Sequence, residues 1–183
     1  MRCSKTRGKK GLRHPDPADP PRRRANKRRG HGNWDTDRPP VLGIAGRATG
    51  LVQLWVAESV DSVTLQWFVG ALTRPEVLLY TDQWRGYAWV AGTGRGHATV
   101  CHTPGQRAWA RDDDGDGIRE VHNNTLEGLW TGLRNFLRPF RGVSKWFLEQ
   151  YVAMFQWGHT LKAITADFIR ALFGLPLTTD LGP

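Results

Sequence analysis

No stretch constrains the fold of this chain more than Val121–Leu137. Leu126, Trp130, Leu133 and Leu137 recur at steps of four, three and four residues, which lines one face of a helix. Asn124 suits the N-cap, and a polar, acidic loop precedes it. Glu127 then falls in the first turn at the edge of the apolar stripe, and Arg134 two turns later on the same side. A carboxylate at the mouth of an apolar helix can hold a metal over a cleft. As the third helical residue of an Asn-capped box it can instead do no more than satisfy the backbone. Spacing alone leaves both readings open.

The rest of the chain offers partners for that helix. Val41–Arg47 reads as a buried strand, Ala48–Gly50 as a turn, and Leu51–Ala57 as the antiparallel partner. Val63, Trp67, Phe68 and Leu72 have helical spacing, with Ser62 as cap and Pro75 beyond the end. Val77–Asp82 is a short apolar run ending in an acid. That is the profile of a central parallel strand with its carboxylate at the C-terminal end, where open α/β sheets place their chemistry. Asp82 can equally cap the short helix expected from Gln83 to Tyr87. His97–His102 reads as a last strand. Ser144 caps a second long helix whose Trp146, Phe147, Tyr151, Met154 and Phe155 are expected in the core, and Leu161–Phe173 continues as a final amphipathic helix.

Charge divides the chain. Residues 1–30 carry 12 Lys and Arg against two Asp, whereas the other 153 residues carry 14 basic and 15 acidic side chains. The excess therefore belongs to the N-terminal arm, where Pro15, Pro17, Pro20 and Pro21 oppose a helix. Residues 1–37 are expected to be disordered. Arg22, Arg23, Arg24, Lys27, Arg28 and Arg29 are candidate nucleic-acid contacts, whose binding would be steeply salt-dependent. Cys3 and Cys101 form no zinc spacing and no disulfide framework, so a reducing setting is expected. No apolar run reaches the roughly 18 residues that span a bilayer, so no membrane partner is expected. Asp112–Gly117 resembles the start of a calcium loop. Asn123 stands at its twelfth position, where a bidentate Glu is wanted, and an acidic insertion is the alternative.

Several blocks, in order, resemble the ISXO2-like (IS1595-family) transposase domain. They are Arg38-Pro39-Pro40-Val41 with Gly43, Thr81-Asp82-Gln83-Trp84-Arg85-Gly86-Tyr87, His97-Ala98-Thr99-Val100 with His102, His122–Trp130, and Gly142-Val143-Ser144-Lys145 with Tyr151. The resemblance runs from about Pro15 to His159 and frames a domain over 38–160, followed by a helix and tail over 161–183. It implies an α/β, ribonuclease H-like mixed sheet with flanking helices and a DDE-type site. Asp82 would be the second acid and Glu127 the third, with Asn124 the alternative third residue. Both acids would ligate Mg²⁺ or Mn²⁺, and Arg134 and Lys145 would touch DNA. The implied partners are transposon ends, target DNA and further copies of the chain, in a prokaryotic cytoplasm beside the nucleoid. Met154 and Gly158-His159 depart from the family pattern, which weakens any DNA contact by the last helices.

The resemblance also implies a first acid on a central strand ahead of Val41. Asp16 and Asp19 sit among prolines and Asp35 and Asp37 in a polar loop, none behind an apolar run. Codons that encode Met1–Gly8, read from one nucleotide earlier, can spell Asp-Glu-Met-Phe-Gln-Asn-Ala-Gly, which is similar to the family's first-acid segment. The expectation is a remnant whose first strand was lost to a frameshift or a misplaced start. Its sheet would have open edges, and it would be unstable and inactive alone. A non-catalytic nucleic-acid-binding protein built on the basic arm is the alternative.

Overall fold

Val41–Ala45 (β1) and Val52–Val56 (β2) pair antiparallel, in register from Val41 opposite Val56 to Ala45 opposite Val52. The computed structural model describes residues 32–101, 105, 109–161 and 165–175. Side chains alternate across a strand, so this hairpin has two apolar faces, and helices cover both. On one lie Asn124–Leu137 (α1) and Lys145–Thr160 (α2). Val41 meets Trp130, Leu133, Val143, Leu148 and Val152 there, with Leu54 and Val56 against them. Gly43 makes this approach possible, because a Cβ there would stand 2.8 Å from the Trp130 ring and 2.9 Å from Leu54. On the other face lies Ser62–Leu72 (α3), where Leu42 and Ala57 pack with Leu65 and Phe68.

That last helix follows the expected span with a different cap and a different face. Asp61 holds the extended conformation that a cap needs and accepts from the Thr64 N–H at 2.8 Å, so Ser62 is already helical. Leu65, Phe68 and Val69 are the buried residues, whereas Val63 and Trp67 are 76% and 60% exposed. Helical spacing names a stripe, and docking on Leu42 and Ala57 decides which stripe is used. Trp67 lies against the hairpin with its ring 5.0 Å from that of Trp55.

Leu79–Asp82 (β3) and His97–Val100 (β4) pair in parallel, joined across the 3-10 helix Arg85–Thr93. The strand is shorter than the apolar run, since Val77 and Leu78 precede it and are exposed. It is not central either: among the described residues β3 pairs with β4 alone. Ala110–Arg111 (β5) and Val121–His122 (β6) form a further antiparallel pair, and β6 lies beside both β3 and β4. Among the described residues three two-stranded ladders therefore stand where one mixed sheet was expected, and the fold is mixed α/β.

The helical ends also correct the expectation. Asn123, not Asn124, caps α1, and it does so without a side-chain hydrogen bond. Ser144 caps α2. Leu148 and Val152 are buried on that helix, while Phe147 and Met154, expected in the core, are exposed. A final short helix, Ala166–Leu172 (α4), starts at Thr165, whose hydroxyl accepts from the Phe168 N–H. Residues expected in the arm join the body, since the Trp34 N–H donates to the Glu58 carbonyl at 2.8 Å and Asp37 is buried. Among the described residues no helix is long and apolar enough to cross a membrane.

Candidate functional site

Asp82 ends β3 opposite Val100, and the ladder runs one bond further through the Gln83 N–H to the Val100 carbonyl. Thr81, just before it, donates its hydroxyl to the Asp82 carbonyl and lies 2.8 Å from His97 Nε2, tying the two strands together. Burial pushes the His97 pKa down, so the imidazole is neutral near pH 7. After Asp82 the chain folds into a knuckle. Trp84 closes over Gly86, where a Cβ would stand 2.2 Å from the indole, and meets Tyr87 edge-on at 5.9 Å. Burial pushes the Tyr87 hydroxyl up to about 12, with the Asp82 charge as second cause. Trp84 is the cap residue of the 3-10 helix, without a side-chain hydrogen bond, so Asp82 is not its cap.

Glu127 lies half-buried in the first turn of α1. Its N–H reaches the Asn123 carbonyl at 3.2 Å, which makes it the fourth helical residue rather than the third of a capping box. Asn124, the alternative third residue, is exposed at the helix start, and Arg134 is exposed in the last turn.

The two carboxylates belong to elements that meet through β6. That strand lies beside β3 and β4 and runs within two residues into α1. Arg47, beyond the end of β1, bridges the same elements. Its guanidinium sits 3.8 Å from the centroid of the Tyr80 ring and donates to the carbonyls of Glu120 and His122. Burial first, and the Arg47 charge second, lower the His122 pKa. Neither Arg47 nor Tyr80 was marked by the sequence, where a lone Arg after an apolar strand carries no sign of its partners.

Other expected residues fall elsewhere. Lys145 is 8% exposed, and its ammonium lies 3.3 Å from Asp37, 3.1 Å from the Trp34 carbonyl and over the Trp34 and Trp146 rings. A lysine so committed cannot reach a phosphate without giving up that ion pair. Asp37 is equally spent, and Asp35 is exposed in the same turn. Arg22, Arg23, Arg24, Lys27, Arg28, Arg29, Asp16, Asp19, Cys3 and His102 lie outside the described residues.

Among the described residues one cluster of three ligating groups exists. The carboxylates of Asp112, Asp114 and Asp116 lie within 4.8 Å of one another. Asp112 accepts from the Gly115 and Gly117 N–H groups, which lowers its pKa. A strand, not a helix, precedes this loop, and its twelfth residue, Asn123, offers no bidentate carboxylate. Among the described residues neither Asp82 nor Glu127 belongs to a cluster of three. Asp82 and Glu127 are each half-buried, and Mg²⁺ asks of a protein only one or two carboxylates, filling its octahedron with water and substrate phosphate.

The family model described as the ISXO2-like transposase domain matches residues 13–160. An "Uncharacterized protein in transposable element ISH50" of Halobacterium salinarum is 29% identical over 149 residues. That match covers 81% of this chain and 48% of the relative, so the chain spans about half the relative's length. No solved structure matches the chain.

Proposed function

The chain belongs to the ISXO2-like transposase family, and from that premise we propose that it is a DDE-type transposase domain acting on DNA by metal-dependent cleavage and strand transfer. The observation that carries the site is β6, which lies beside the strand of Asp82 and leads directly into the helix of Glu127. On this reading Asp82 and Glu127 hold Mg²⁺ or Mn²⁺ together. When bound, the metal stabilises the charge on attacking and leaving oxygens of an in-line displacement at phosphorus. The side chains' own task is to present hard oxygen ligands from separate elements and to keep them aligned. Asn124, exposed one turn before Glu127, is the alternative third residue. Arg134 faces solvent on the same helix and is free to meet a phosphate. The arm, with most of the chain's excess positive charge, supplies sequence-independent attraction to DNA through Arg22, Arg23, Arg24, Lys27, Arg28 and Arg29.

The domain is read as ribonuclease H-like, with β1–β2 and β3–β4 as two parts of one sheet and no strand between them among the described residues. Among the described residues neither Asp82 nor Glu127 belongs to a group of three ligating side chains. The chain alone is therefore proposed to be inactive in joining. The test is a joining assay on labelled DNA carrying element ends, with Mg²⁺. It compares this chain with one extended upstream in the alternate reading frame. Joining is expected only from the extended protein, and should vanish in Asp82→Asn and Glu127→Gln while DNA retention in gel shifts persists. Joining by the unextended chain overturns its incompleteness, and joining by either variant overturns the site. A purely DNA-binding role, favoured by the charged arm, predicts no joining from either protein and loss of retention when residues 1–31 are removed.

A further inference from the structure

Asp82 and Glu127 come from elements that share no hydrogen-bonded ladder, so something must hold their relative position. The two elements are anchored unequally. The helix α1 is rooted in the core by Leu129, Trp130 and Leu133, all at most 7% exposed. The strand β3 has no fully buried residue and pairs with β4 alone among the described residues.

Arg47 spans that gap. Tyr80 and Asp82, two residues apart on one strand, point to the same face of the ladder. The guanidinium over the Tyr80 ring therefore acts on the face that carries Asp82. Its N–H groups meanwhile grip the carbonyls of Glu120 and His122, the last residues before the cap of α1. A planar fork with five donors in fixed directions can satisfy two carbonyls while its flat face lies on a ring, a geometry that a compact ammonium reproduces only in part.

We infer that Arg47 is a positioning residue, holding the strand of Asp82 at a fixed distance from the helix of Glu127. The inference rests on the site proposed above, and its test separates the two. Spin labels at Gln83→Cys and Gly128→Cys, in a full chain carrying Cys3→Ser and Cys101→Ala, report the distance between the two elements. Gln83 is exposed, and a Cβ at residue 128 meets nothing within 4 Å. The unaltered pair should give one narrow distribution, Arg47→Met one at least twofold broader, and Arg47→Lys an intermediate width. Should Arg47→Met fail to fold, Tyr80→Leu removes the stacked ring instead and is expected to broaden the distribution likewise. Mn²⁺ affinity, measured with Asp114→Asn and Asp116→Asn to silence the acidic loop, should fall about tenfold in Arg47→Met. Leu172→Ala, at an exposed position of the final helix, should leave both readouts unchanged. A distribution as narrow in Arg47→Met and Tyr80→Leu as in the parent overturns the inference. Unchanged Mn²⁺ affinity in Asp82→Asn and Glu127→Gln overturns the site itself, whatever the distances do.

Discussion

The hairpin β1–β2 and the ladder β3–β4 are built from similar apolar runs yet held in different ways. Val41, Leu42, Val52 and Ala57 are all buried, because helices close over both faces of the hairpin. In the ladder only Val100 is buried, and cohesion comes from backbone pairing, the Thr81–His97 contact and Arg47. The difference divides the proposed site: Glu127 stands on an element fixed by core packing, and Asp82 on one fixed by polar ties. Packed cores resist displacement, whereas exposed hydrogen bonds open locally. The two carboxylates therefore differ in stiffness, and binding a cation between them would order mainly the Asp82 side.

Five measurements test whether the two regions differ in this way. The largest effect is expected from Asp37→Ala, which removes the carboxylate paired with the buried Lys145 ammonium and should cost about 3–5 kcal/mol in denaturant unfolding. Adding Lys145→Met should recover much of it. Leu133→Ala, at a fully buried position, should cost about 2–5 kcal/mol. Leu79→Ala in the half-exposed strand should cost clearly less, and equal losses would erase the contrast. Tyr87 gives a pH test on the ladder side. Its folded pKa of about 12 exceeds the ordinary value of 10, so its contribution is whole below pH 10 and lost as pH rises toward 12. That loss amounts to at most about 3 kcal/mol and should be absent in Tyr87→Phe. Gly43→Ala should cost about 1–3 kcal/mol by forcing Trp130 off the hairpin. The smallest effect concerns His97, whose folded pKa lies below 6.5. Its contribution is present above that pH and fades below it, which urea midpoints at pH 7.5 and 5.5 should register and His97→Asn should remove.

Much of the local structure was legible in the residues. The hairpin, the spans of α1 and α3, the strand ending at Asp82 and the strand from His97 all follow from apolar runs punctuated by Gly, Pro and cap residues. The caps themselves moved by one residue, from Ser62 to Asp61 and from Asn124 to Asn123, because neighbouring polar residues offer similar side chains and only backbone angles choose between them. The stretch Val121–His122 read as the prelude to a helix and is a strand, since two residues carry too little periodicity to declare themselves.

The residues alone marked most of the helical and extended segments, assigned the positive charge to the arm and carried the family blocks that contain Asp82 and Glu127. Tertiary structure alone decided which faces are buried. It put Lys145 inside with Asp37, left Phe147 and Met154 outside, and set Arg47 across Tyr80 and the carbonyls ahead of α1. The physical reason is range. Periodicity and capping act over a few neighbours along the chain, whereas an ion pair between residues 37 and 145, or a guanidinium joining residues 47, 80 and 122, exists only once distant segments have been folded together.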